Sequence, residues 1–273
     1  GKIIAFYSNT SAKRFSGHSA YGWVEYRISR DNGGQITVEI PSVTNTDEAA
    51  SLLGSTAKLT FRDADGLWAN YRIEEVCTPE ALISNRAKVI EFYNLRRKES
   101  LTKKPNEGHI AIAGMEEWAD VCVITQNVDN LHEQAGSTRV VHLHGELMKL
   151  RSEKNPELIY DINEGWEQSV DERGEDGALL RPHIVFFGED VPLFEIASRI
   201  IEHADILIVV GTSLAVCPAA ALVLFTRDEN VPIYFVDPVA PDTSIIQNPL
   251  THINERGAVG LPMLVKKLRE EFA

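Results

Sequence analysis

Residues 120–147, DVCVITQNVDNLHEQAGSTRVVHLHGEL, decide how this chain is read. The run opens on VCVIT, passes straight into Gln126, Asn127 and Asp129, and ends in a second apolar run, VVHLH, that carries His142 and His144. An apolar run with no polar alternation is what a strand covered on both faces requires. Polar residues directly after such a strand sit at the carboxyl edge of a parallel sheet, where open α/β folds bind ligands.

Working outward, the same pattern recurs. IVFF, ILIVVGTS and IYFVDP are apolar runs, separated by helical patterns such as FEIASRIIEHA and PAAALVLFTRD. The expectation is an α/β fold with a Rossmann-like, doubly wound parallel sheet. Residues 78–119 read as a helical insertion: Thr78 can cap, Pro79 suits a first turn, and ALISNRAKVIEFYNL has helical spacing, with a further helix after Pro105. Residues 148–183 are polar, acidic and rich in turn formers, a small excursion from the sheet. The first 60 residues have another character. YGWVEYRI and QITVEI flank SRDNGG, a hairpin signal; NTDEAASLL reads as a short helix and AKLTF as a strand. The domain expectation is therefore an α+β segment over 1–60 and a nucleotide-binding domain over 61–273.

Composition limits the function. A hydrophobic share of 44% and a charged share of 25% describe a soluble globular chain. The net charge of -13 argues against nucleic acid or membrane surfaces as partners, because both attract clustered Lys and Arg. Cys77, Cys122 and Cys217 are far apart and form neither a disulfide framework nor a zinc set. No apolar run approaches the roughly 20 residues of a membrane span, and no secretory signal pattern is present. A reducing, cytoplasmic setting and a monomer are the expectations.

Several residues carry candidate chemistry. Gln126, Asn127 and Asp129 can read a carboxamide, donating to its oxygen and accepting from its NH2; equally, Asn127 and Asp129 could simply cap the following helix. His144 stands before a glycine and can act as a base near neutral pH, a better candidate than His132 or His142. Gly211 permits close backbone approach, and Thr212 and Ser213 offer hydroxyls after a buried strand. Asp237, ending IYFVD, can accept from a ribose hydroxyl or cap a turn. Tyr93 and Arg96 share a helix face, a phenol beside a planar fork suited to a carboxylate.

From about residue 60 to the end, the blocks TFRDADGLWANYR, TQNVDNLHEQAGS, LHGEL, PHIVFFGE, GTSLAVCPAA and RGAV occur in the order in which they occur in sirtuins, the NAD-dependent protein-lysine deacylases. The chain resembles that family, and the resemblance implies NAD as cofactor and acylated-lysine proteins or peptides as substrates. It implies that Gln126, Asn127 and Asp129 line the nicotinamide pocket and that His144 is the general base. In the family's reaction the acyl oxygen attacks the ribose C1' carbon and expels nicotinamide; the histidine deprotonates a ribose hydroxyl, and O-acyl-ADP-ribose and free lysine leave. Gly211, Thr212, Ser213, Asp237 and Ala258 would hold the adenosine half, and Arg62 would lie near the phosphates. FYNLRR resembles sirtuins that prefer succinyl or malonyl lysine, with Tyr93 and Arg96 on the distal carboxylate and deacetylation as a weaker activity. Val185, Phe186, Phe187 and Gly188 correspond to the segment on which the substrate peptide pairs as a strand.

The chain departs from that pattern twice. Many sirtuins carry four zinc-binding cysteines in the region matching 148–183, and none is present, so no structural zinc is expected. The family's glycine-rich GAGxS loop after the first strand is replaced: KIIAF can be that strand, but TSAKRFSG stands where the loop would be. Residues 34–63 instead resemble a periplasmic segment of SecD, a protein-export subunit, and the two resemblances meet on LTFRDADG, which suggests a chimeric N-terminus. Two readings follow: a working deacylase with a remodelled phosphate loop, or a catalytically inactive sirtuin-like scaffold or binding protein.

Overall fold

The computed structural model describes residues 2–7, 10–19, 22–31, 36–39, 71, 73–162, 165–212, 219–240 and 246–272. KIIAFY forms β1 (Lys2–Tyr7), with Ile3, Ile4 and Ala5 all buried. Strands β2 (Thr10–Ser19), β3 (Gly22–Asp31) and β4 (Ile36–Glu39) make an antiparallel sheet of their own, ordered β2-β3-β4. The hairpin expected around SRDNGG is present as β3 and β4, with Ile28 opposite Val38. TSAKRFSG, however, is strand and not loop, paired with β3 from Thr10 opposite Asp31 to Ser19 opposite Gly22. Its Ser, Lys and Gly content gives little strand propensity, so the ladder to a partner decides the matter. The helix expected over 45–53, the strand over 57–61 and Arg62 lie outside the described residues.

The helical insertion consists of α1 (Ile73–Val76), α2 (Pro79–Ser84), α3 (Arg86–Ser100) and α4 (Glu107–Gly114). Thr78 accepts from the Ala81 amide at 3.1 Å, and Pro79 occupies the first turn, whose amides need no intrahelical partner. The single helical pattern of residues 81–95 is in fact two helices. Asn85 leaves helical geometry at φ -148° and starts α3 afresh. Asn106 and His109 form a reciprocal capping box on α4.

Next come β5 (Asp120–Thr125), α5 (Leu131–Ala135) and β6 (Val140–His142). Strands β7 (Gly145–Ser152), β8 (Ile159–Asp161) and β9 (Leu180–Ile184) form a second antiparallel sheet, ordered β8-β7-β9. The run IVFF was expected in the parallel series; it leaves β9 at Ile184, because β9 pairs with β7. The chain returns through α6 (Phe194–Ile201), β10 (Ile206–Val210), a 3-10 helix at Ala219–Phe225, β11 (Ile233–Val236), β12 (Leu250–Ile253) and α7 (Gly257–Phe272).

The main sheet is six-stranded and wholly parallel, ordered β12-β11-β10-β1-β5-β6. Ile3, Ala5, Val121 and Val123 pack with α4 and α7 on one face; Ile4, Ile124 and Leu207 pack with α6 and the 3-10 helix on the other. Covering both faces is why these strands read as unbroken apolar runs. The order reverses between β1 and β10, the switch point at whose carboxyl ends open α/β sheets place a crevice. No helix among the described residues is long and apolar enough to cross a membrane.

The small sheet's module is tied to α3 by polar bonds. Arg86 donates to the Val170 carbonyl at 2.7 Å, to Leu180 O and to Glu153. Asn94 and Gln168 exchange two bonds of 3.0 and 2.8 Å, and Gln168 also donates to Leu180 O. Among the described residues no group of three His, Cys, Asp or Glu could hold a metal. Replacing Arg86 by Ala should lower stability by about 1–2 kcal/mol in urea unfolding, since the bonds to the exposed Val170 carbonyl, the half-buried Leu180 carbonyl and Glu153 are lost together. Adding EDTA to the parent protein should leave the unfolding curve unmoved.

Candidate functional site

The site grows from the end of β5. Thr125 is fully buried, and its hydroxyl accepts from the Asn127 amide at 3.0 Å, which bends the chain as it leaves the sheet. Gln126, Asn127 and Asp129 lie half-buried along that turn. Asp129 does not occupy the cap of α5, which is Asn130; its carboxylate instead accepts from Leu131 N at 3.1 Å in a turn that leads into the helix. Nor does Asn127 cap it: among the described residues no hydrogen bond ends on its carboxamide, and only its backbone is engaged.

His144 is not in a strand. It occupies the turn between β6 and β7, held by Leu143 N donating to Thr125 O at 2.9 Å and by Val185 N donating to His144 O at 3.0 Å. The turn depends on Gly145, at φ +83°, where a Cβ would stand 2.0 Å from the His183 carbonyl oxygen. Burial pushes the His144 ring below its ordinary pKa, against a smaller upward pull from the Gln126 carbonyl. The ring is therefore neutral at pH 7 and able to take a proton.

His142, two residues earlier, is buried and differently held. Its Nδ1 lies 3.1 Å from Asn127 O and its Nε2 2.8 Å from Glu133 Oε1. Burial alone would lower its pKa, but the Glu133 carboxylate, with the Asn127 carbonyl and Glu146, more than offsets this and raises it. His132 packs 4.7 Å from the His109 ring, and burial first, then that neighbour, bring it down to about 3. Sequence reasoning set His142 aside, since nothing local marks its partners.

On the far side of the crevice, Gly211 follows β10 at φ +63° and donates to Val236 O at 3.1 Å. Thr212 is buried; Ser213 lies outside the described residues. Asp237, after β11, is buried, and burial raises its pKa to about 6 even though Val239 N donates to it at 2.7 Å. Its capping role is thus real and leaves one carboxylate oxygen over. Ala258 sits half-buried in the first turn of α7. Gly260 lets this helix press on β11, since a Cβ there would meet Val236 at 2.6 Å.

The helical insertion packs against the VFFG segment. Tyr93 is fully buried, donates to Cys77 Sγ at 3.5 Å and stacks on Phe186 with centroids 5.7 Å apart. Arg96 lies 5.9 Å from the Tyr93 ring, so the pair does share a face. Phe187 and Gly188 are exposed, and Val185 is half-buried. Two further residues were not singled out from sequence. Arg97, wholly buried, donates to Leu147 O at 2.8 Å. Glu189 accepts from Phe186 N at 2.7 Å and pairs with Arg181, whose guanidinium lies 4.0 Å over the Phe186 ring. Adjacency of Glu189 to VFFG was the available signal. A separate pocket of about 340 Å³ opens at the opposite edge, beside Lys2, Asp120 and Arg199, away from these groups.

Comparison with known proteins gives two family matches. Residues 55–218 match the Sir2 family, and residues 19–66 match the N-terminal P1 domain of protein translocase subunit SecDF. An NAD-dependent protein deacylase of Aggregatibacter actinomycetemcomitans is 49% identical over 192 residues, covering 70% of this chain and 89% of the relative. One from Helicobacter pylori (strain ATCC 700392 / 26695) is 45% identical over 213 residues, 77% and 90% of the two chains. A solved Sir2 homolog–NAD complex superposes with TM-score 0.67 at 33% identity over 82% of this chain and 88% of its own. Sir2 bound to acetylated peptide gives TM-score 0.58 at 29% identity over 70% and 81%.

Two measurements follow from the geometry. In an NMR titration His142 should take up its proton above the ordinary pH 6.5 and His144 below it, with His132 neutral until about pH 3. Gly145→Ala should cost at least about 2 kcal/mol in urea unfolding, because the positive φ and the carbonyl contact are both violated.

Proposed function

The chain belongs to the Sir2 family, and on that premise we propose that it is an NAD-dependent protein-lysine deacylase that favours succinyl and malonyl groups over acetyl. The donor set suits NAD. The half-buried carboxamides of Gln126 and Asn127 would read a nicotinamide carboxamide, and the buried Asp237 carboxylate would accept from a ribose hydroxyl. When bound, NAD supplies the ribosyl carbon that accepts the acyl oxygen, with nicotinamide as the leaving group.

The chain's own residues then divide the work. Asn127 and Gln126 orient the carboxamide, and Asp129 holds the start of α5 in place. The neutral His144 ring accepts a proton from a ribose hydroxyl, so activity falls as pH drops through its lowered pKa. The observation that carries this reading is the bond from Val185 N to His144 O, which seats the candidate base beside the VFFG segment. A peptide docking on that segment presents its acyl-lysine to the base. The acyl preference rests on Arg96, 5.9 Å from the ring of Tyr93, where a guanidinium fork can meet a distal carboxylate; the Tyr93 hydroxyl is buried on Cys77 Sγ, and its ring, stacked on Phe186, backs that position.

A second reading, an inactive scaffold, is favoured by one observation. β1 ends at Tyr7 and β2 opens at Thr10, where the family carries its glycine-rich phosphate loop. We also infer that the SecDF-like segment and the Sir2-like remainder, which takes in β1 as a central strand of the parallel sheet, are of different origin. The two family matches overlap at residues 55–66, which contain LTFRDADG.

Nicotinamide release with succinyl-lysine and acetyl-lysine peptides separates the readings. Turnover should favour the succinyl peptide, and His144→Ala should lower it at least about a hundredfold. Arg96→Met should shift the succinyl-to-acetyl ratio toward acetyl by about tenfold or more. A folded protein that releases no nicotinamide with either peptide would establish the scaffold.

A further inference from the structure

Both ring nitrogens of buried His142 face oxygens that can only accept. Asn127 O is a backbone carbonyl 3.1 Å from Nδ1, and Glu133 Oε1 lies 2.8 Å from Nε2. A neutral imidazole carries one N–H and satisfies one of these partners; only the imidazolium satisfies both. We propose that His142 and Glu133 form a charged positioning pair that locks the Gln126–Val128 turn, holding the Asn127 carboxamide in place for nicotinamide release.

At its far end the turn is tied to β7 by Leu147 N donating to Val128 O at 2.7 Å, which leaves Asn127 itself to be held from its two sides. Asn127 is anchored at its amide by Thr125 and at its carbonyl by His142, and the carbonyl of Gln126 is the one that interacts with the His144 ring. Losing the His142 bond thus loosens the residue on each side of which the candidate chemistry sits. The other titratable groups facing the His142 ring are Glu146 on β7, which favours the charged form, and His132 on α5, which stays neutral. Glu133 is held below the ordinary carboxylate range, chiefly by its bond from His142 against the effect of burial, so it is ionised wherever His142 titrates. A group whose folded pKa is raised holds its interaction below that pKa and gives it up as pH rises through it. The pair therefore sets an alkaline limb, as His144 sets the acid one.

The inference rests on the deacylase reading, and the test keeps the two apart. Glu133→Gln preserves shape and satisfies a neutral ring, because its amide can donate to Nε2 while Nδ1–H still donates to Asn127 O. Its pH profile of kcat/KM for NAD should lose the alkaline limb, with activity at neutral pH within about threefold of the parent. Glu133→Ala should raise KM for NAD and lower kcat/KM on the order of tenfold. An unchanged alkaline limb in Glu133→Gln, or parent-like kinetics in Glu133→Ala, would overturn the proposal. If the parent releases no nicotinamide, the deacylase reading fails by itself. The positioning claim is then decided by NMR: the Asn127 resonances should move with the His142 titration in the parent and stay still in Glu133→Gln, and their indifference in the parent would sink it.

Discussion

Parallel pairing is the constraint on which the rest depends. β1 lies between β5 and β10, β5 pairs onward with β6, and every ladder runs the same way. Parallel strands deliver their carboxyl ends to one edge of the sheet, so the turn after Thr125, the His144 turn and the Gly211 turn converge although they are far apart in sequence. The apolar runs that force burial on both faces also force polar residues to wait until each strand ends. Chemistry and fold are in this sense one requirement.

Within that edge, environment assigns roles to residues of one type. His132, His142 and His144 fall within a short stretch, yet they differ in ionisation. His132 packs against another imidazole, His142 against a carboxylate and a carbonyl, and His144 in a partly dry turn. Desolvation acts on all three; only around His142 do the partners, Glu133 first among them, together reverse it. A ring held toward its neutral form and a ring held toward its charged form are thus made from one side chain by placement alone. The same logic separates Arg96, which lies against aromatic rings, from Arg97, buried with its guanidinium on Leu147 O and driven down to about 10 by burial.

The module carrying β7, β8 and β9 illustrates how a cross-link can be replaced. Its region contains no cysteine, and it is fastened to α3 through Arg86, Asn94 and Gln168 acting on backbone groups of 168–180. A guanidinium serving several carbonyls at once gives orientation as well as attraction. Glu189, gripping Arg181 and the Phe186 amide, extends that fastening to the segment beside His144.

By itself, the sequence determined the parallel α/β class, the helical insertion with its Thr78 cap, the β3–β4 hairpin and the edge position of Gln126, Asn127 and Asp129. These are legible because periodicity, capping and turn chemistry are local. It left open the capping roles of Asp129 and Asp237, of which only that of Asp237 is met, Asp129 standing one residue before the cap of α5, and it placed IVFF in the wrong sheet. It also passed over His142, Arg97 and Glu189. The tertiary structure alone decided these, because a strand's partner and a buried ion's counter-charge are contacts between distant residues. Val185 against His144, Leu147 against Arg97 and Arg181 against Glu189 come together only once the sheets have closed.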